Sequence, residues 1–115
     1  MKMVWAVVRT GKVEAITRQL KKIGVSGCTV YPVHGYGEEW HLYEPLIHGG
    51  HYKVEAIVED SRVDLVVKKI MEHASTGLKG DGILSVFDLA SVVDIRSKQA
   101  AAHRGSGNRT EAKER

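Results

Sequence analysis

The chain has 115 residues, 43% hydrophobic and 27% charged, a composition that suits one domain with a single core and leaves it small enough to gain from an oligomer interface. The longest apolar runs fall far short of the ~20 residues that cross a bilayer, and no long apolar segment follows a basic start, so membrane insertion is not expected and the expected location is cytoplasmic. The formal charge of +3 sits in a tail where Lys98, Arg104, Arg109, Lys113 and Arg115 face only Glu111 and Glu114, so the remainder is near neutral and a nucleic-acid partner loses its main support.

Met3, Trp5 and Val7 alternate with their neighbours as a first strand ending at Arg9. Val13, Ile16, Leu20 and Ile23 then fall on one face of a helix that begins near Gly11 and is stopped by Gly24. A second strand is predicted over 28–34, with Pro32 placing it at an edge or where the ladder needs no N–H. Cys28, the only cysteine, excludes an intrachain disulfide framework and reads as a small core residue rather than a reactive thiol. Residues 36–50 lose apolar periodicity between the Gly35/Gly37 and Gly49/Gly50 pairs and read as a long loop, which in a compact domain is more often functional than idle. Residues 52–58 alternate as a strand, Asp60 or Ser61 is positioned to cap the next helix, and Val63, Val66, Val67, Ile70 and Met71 supply that helix's apolar face. A last strand is expected over 83–87.

This β-α-β-β-α-β order predicts an α+β, ferredoxin-like sandwich over residues 1–97, with both helices on one face of the sheet. Side chains alternate across a sheet, so Met3, Trp5 and Val7 and the alternating partners of Val54, Ala56 and Val58 cannot all point toward the helices, and whichever set faces away is expected to line a subunit interface. Residues 98–115 have too little to bury and read as a flexible basic tail, with a short helix around 99–103 where it docks on a neighbour.

Between the second helix and the last strand stands Thr76-Gly77-Leu78-Lys79-Gly80-Asp81-Gly82. A turn this rich in glycine lets backbone N–H groups approach an anion closely, because glycine tolerates positive φ and has no Cβ in the way. The same residues also suit a helix C-cap leading into a strand. Together with Gly24-Val25-Ser26-Gly27-Cys28-Thr29-Val30 and Val92-Val93-Asp94-Ile95-Arg96, the turn makes residues 1 to 97 resemble the PII signal-transduction proteins.

The resemblance implies a homotrimer with a nucleotide in each cleft between subunits. It places adenine, ribose and part of the phosphate chain against Thr29, Gly35, Gly37, Ile57, Thr76, Gly80, Asp81, Gly82 and Arg96. The phosphate half departs from the family pattern, with Ile83 and Asp94 standing where basic residues are usual and Glu38 and Glu39 where a basic residue and a magnesium-holding glutamine are usual. Charge-assisted contacts contribute on the order of 1.5 to 3 kcal/mol each, so losing two weakens triphosphate binding steeply unless Lys79, His34 or His51 compensates. ADP or AMP is therefore expected over ATP, with no 2-oxoglutarate site.

The insert is shorter than the family's T-loop, and Tyr43 lacks the surroundings of a modified tyrosine. Its His41, His48 and His51, with Glu38, Glu39 and Glu44, suit zinc, nickel or copper in type, but their spacing matches no metal motif. Trp40, Leu42 and Leu46 instead suit a loop that anchors on a partner. No nucleophile elbow and no Walker-type lysine is present, so no enzymatic activity is expected. The expected function is sensing of adenine nucleotides and signalling to a protein partner, a membrane transporter or a metabolic enzyme; the alternative is a metal-responsive or structural trimer of the same fold.

Overall fold

The computed structural model describes residues 1–37 and 50–101. Strand β1 (Lys2–Arg9) passes through a 3-10 turn (Thr10–Lys12) into helix α1 (Val13–Lys22), followed by β2 (Thr29–Val33). Strand β3 (His51–Val58) leads through a second 3-10 turn (Asp60–Arg62) into α2 (Val63–Ala74), then β4 (Gly82–Asp88) and the short strands β5 (Val93–Asp94) and β6 (Gln99–Ala100). The main sheet has the order β2-β3-β1-β4 with every neighbour antiparallel, the ferredoxin-like arrangement expected from the element order. Among the described residues no helix is long and apolar enough to cross a membrane.

The core follows from period-two alternation in the central strands. Val4 and Ala6 of β1 stand beside Ala56 and Val54 of β3, with Val8 and Val58 buried on the same face, under the helices, where Ile16 and Leu20 of α1 and Val66 and Ile70 of α2 close over them. The next residues along each strand face the other way, and there the Lys53 ammonium lies 4.4 Å from the centre of the Trp5 ring, a cation–π contact. On β4, Ile83 and Phe87 are 59% and 47% exposed, so the open face keeps apolar surface that the helices do not cover.

Several local expectations are corrected. Cys28 is exposed and precedes β2 rather than lying inside a buried strand, because the chain turns into the core at Val25 and then runs out to an edge strand. Partial desolvation raises its thiol pKa, which disfavours the thiolate. Neither Asp60 nor Ser61 caps α2: Arg62 occupies that position without a side-chain cap bond, and the Asp60 carboxylate instead meets the N-terminal ammonium at 3.0 Å. Met71 is 56% exposed, and Ala74 takes the next buried place on α2. In place of the short helix expected around residues 99–103, Gln99–Ala100 pairs with Val93–Asp94 as strand, and residues 102 and 103 lie outside the described residues. Pro32 does lie on an edge strand, where its missing N–H costs no ladder bond.

Ile70→Ala is expected to lower unfolding free energy by about 2–5 kcal/mol, and Met71→Ala by less than about 0.5 kcal/mol, in urea denaturation. The pair separates the packed stripe of α2 from its exposed neighbour.

Candidate functional site

The sheet brings four chain segments together at one end. Arg9, the last residue of β1, pairs with His51, the first of β3, which pairs in turn with Val33 at the end of β2. On the other side of β1, Val8 pairs with Gly82, where β4 begins. The glycine-rich turn entering β4 and the Gly35–Gly37 segment leaving β2 therefore belong to the same end of the sheet.

Asp81 organises the turn. Its Oδ2 accepts the N–H groups of Thr76 at 2.8 Å and Gly77 at 2.9 Å, while Oδ1 accepts the Thr76 hydroxyl and the Arg9 Nε–H, the latter at 3.1 Å. The Thr76 hydroxyl oxygen then accepts the Leu78 N–H at 3.1 Å. These contacts, the Thr76 hydroxyl foremost and then the Thr76 N–H, hold the Asp81 carboxyl well below the usual carboxylate range. With both oxygens engaged by the protein, Asp81 is a structural anion that shapes the turn.

The carbonyl groups of the turn are also held. Arg9 donates from a second guanidinium nitrogen to the Lys79 carbonyl at 2.6 Å, and the His51 Nε2 lies 2.8 Å from the Gly80 carbonyl oxygen. Among the described residues the N–H groups of Lys79 and Gly80 make no hydrogen bond, while the turn at residues 79 and 80 brings the Asp81 N–H back toward the Leu78 carbonyl. Gly77, Gly80 and Gly82 have φ of 81°, 95° and 113°, the left-handed side that a Cβ disfavours. At Gly82 a Cβ would come within 1.7 Å of the Val7 carbonyl oxygen, so the turn also needs glycine there to let β4 start flush against β1.

The predicted site residues do not all gather here. Thr76, Lys79, Gly80, Asp81 and Gly82 share the turn, and Gly35 and Gly37 belong to the same end of the sheet. Ile57, by contrast, pairs with Met3 near the opposite end, and Thr29 sits on the β2 edge across from Glu55, with two strands between it and β4. Arg96 lies exposed in the turn between β5 and β6, reached only after β4 has carried the chain about 20 Å along the sheet to Asp88. Among the described residues Arg96 makes no hydrogen bond or ion pair with the turn.

Trp40, Leu42, Leu46, His41, His48, Glu38 and Glu39 lie outside the described residues, as do residues 102–115. His51 is described and meets the Gly80 carbonyl, and among the described residues no group of three or more His, Cys, Asp or Glu side chains is placed to hold a metal ion.

The family model for nitrogen regulatory protein P-II matches residues 1–99. The chain belongs to the P-II family. It is 34% identical over 105 residues to a nitrogen regulatory protein P-II of Pasteurella multocida and 35% identical over 105 residues to nitrogen regulatory protein P-II 1 of Escherichia coli K12. Each match covers 84% of this chain and 93% of the relative, as does that to nitrogen regulatory protein P-II of Klebsiella oxytoca. In this P-II protein sequence reasoning assigned Arg9 no role and His51 only a share in charge compensation or metal binding. The available signal was their position, a strand's last and a strand's first residue, which only the sheet register brings side by side.

The depressed Asp81 pKa fixes the sign of a pH effect. Its carboxylate contributes stability fully above the ordinary Asp value of about 3.9, and that contribution is lost only as pH falls through the lower folded-state value. Asp81→Asn is therefore expected to melt below the wild type by a constant margin from pH 8 to about 5, with the margin shrinking below about pH 4 in thermal scans.

Proposed function

We propose that this P-II protein is a regulator, not an enzyme, that binds adenine nucleotides through the turn at residues 76–82 and signals to a partner protein through residues 36–50. One observation carries the reading: Asp81 takes up the first two N–H groups of the turn, the Thr76 hydroxyl takes the third, and the N–H groups of Lys79 and Gly80 have no acceptor among the described residues. Successive donors on a glycine frame form an anion-binding concavity, and phosphate oxygens are acceptors of matching charge.

The distribution of the remaining residues favours a site shared between copies. Thr29 and Ile57 on one side and Arg96 at the far end of β4 cannot reach the turn of their own chain through any contact described above, whereas a neighbouring copy packed on the open face could present them. Ile83 and Phe87, exposed on β4, supply apolar surface for that packing. A homotrimer with one cleft per interface is the arrangement this reading adopts, as the family resemblance implies. A cytoplasmic protein regulating a membrane transporter or a metabolic enzyme fits the same reading.

The charge pattern favours ADP or AMP over ATP. Lys79 stands in the turn, but Ile83 and Asp94 replace cations expected near the phosphates, and Glu38 and Glu39 add negative charge at the entrance of the loop. A third phosphate would bring more negative charge toward groups that repel it, and 2-oxoglutarate would meet the same acidic pair.

Calorimetric titration of the purified oligomer is expected to give tighter binding of ADP and AMP than of ATP, and no gain in ATP affinity when magnesium and 2-oxoglutarate are added. Arg96→Ala should weaken ADP binding about tenfold to a hundredfold, the loss of one charge-assisted contact. Unchanged ADP affinity in that variant would remove Arg96 from the site, and an absence of any nucleotide binding would favour the structural-trimer alternative.

A further inference from the structure

We infer that Arg9 and His51 act as a pair of positioning residues that aim the donors of the 76–82 turn, and that they link this turn to the base of the 36–50 loop. The inference rests on the nucleotide reading above and extends it to residues that need not touch the ligand.

The geometry of the peptide unit carries the first half. In a trans peptide the C=O and the following N–H point in opposite directions within one plane, and rotating one rotates the other. The Lys79 carbonyl is held at 2.6 Å by Arg9, so the Gly80 N–H is directed away from Arg9. The Gly80 carbonyl is held at 2.8 Å by the His51 Nε2, so the Asp81 N–H is directed away from His51. Two consecutive peptide units thus have their acceptor ends fixed against the sheet and their donor ends turned outward. Glycine at positions 77, 80 and 82 leaves the backbone soft, with φ values that glycine adopts without strain, so the turn needs such external restraints to keep one arrangement.

The two restraining side chains are themselves neighbours. Arg9 and His51 are register partners on β1 and β3, and Arg9 also reaches Asp81, so three points on the turn are fixed by two adjacent strand ends. The same strand ends meet the loop base: the Thr10 N–H donates to the Gly50 carbonyl at 3.2 Å, directly beside Arg9 and His51. A shift of the chain entering β3 at Gly50 therefore moves His51, and through it the Gly80–Asp81 peptide.

The test uses full-length wild type with His51→Leu, His51→Gln, Arg9→Met and Arg9→Lys, read by backbone ¹⁵N relaxation without nucleotide and by ADP calorimetry. A glutamine amide N–H can replace the Nε2 donor without charge, while a lysine keeps Arg9's charge but not its two-point reach. In the wild type the amides of residues 79–81 should show order parameters near those of the rigid backbone, about 0.85; in His51→Leu and Arg9→Met they should fall below about 0.6, with melting temperatures little changed. ADP affinity should fall about tenfold in His51→Leu and return to within about threefold of wild type in His51→Gln, with Arg9→Lys intermediate. Affinity that falls while the order parameters hold would overturn positioning in favour of direct contact with the phosphates. Order parameters and affinity that both hold would overturn the role altogether. A wild type that binds no nucleotide would instead overturn the underlying functional reading, and the relaxation data would still decide whether the pair holds the turn.

Discussion

The Asp81 carboxylate is the contact on which the rest of the site depends. It is placed at the end of a glycine-rich turn, takes hydrogen bonds from two backbone N–H groups and a hydroxyl of the same turn, and is paired at 3.1 Å with an arginine seventy-two positions earlier. A carboxylate so surrounded has little reason to face an anionic ligand. It converts a flexible segment into a fixed curve whose early donors are consumed internally and whose later donors remain for something else. That division of the turn's N–H groups turns a plain helix-to-strand connection into a place where phosphate oxygens would be satisfied.

The sheet order then decides how much of a binding site one copy can offer. In the order β2-β3-β1-β4, the turn leads into one edge strand while Thr29 lies on the other, and β4 carries the chain away from the turn before Arg96 is reached. A single P-II chain thus keeps the glycine-rich turn and the proposed contacts Thr29 and Arg96 at separate places in the fold. Association through the open sheet face would serve two purposes, covering apolar side chains such as Ile83 and Phe87 and bringing these parts of different copies together. Ligand occupancy and subunit packing would be thermodynamically linked in such an arrangement, because a ligand that binds only the assembled state stabilises it.

Much of the architecture was legible in the sequence because it rests on local periodicity. The period-two alternation of Met3, Trp5 and Val7 with their neighbours, the helical spacing of Ile16 and Leu20, and the glycine stop at Gly24 each follow from short-range stereochemistry, and the structure places them as that stereochemistry requires. The turn at 76–82 was legible for the same reason. What escaped was long-range: the contacts of Arg9 with Asp81 and Lys79 and of His51 with Gly80 join residues far apart in the chain and exist only once the strand register is set. Cys28 was misplaced because an apolar run does not say whether a strand lies at an edge, and Met71 because helical spacing fixes the centre of an apolar stripe better than its border. The separation of Arg96 from the turn was hidden because a linear motif carries no information about which end of a sheet it will reach.

A two-dimensional ¹H–¹⁵N titration of the oligomer with ADP tests most directly whether the free donors of the turn meet phosphate. Saturable displacement should be largest for the amides of Lys79 and Gly80, which have no acceptor among the described residues, and small for Thr76 and Gly77, which Asp81 already holds. Saturable ADP binding that leaves Lys79 and Gly80 unmoved while shifting amides elsewhere would contradict it.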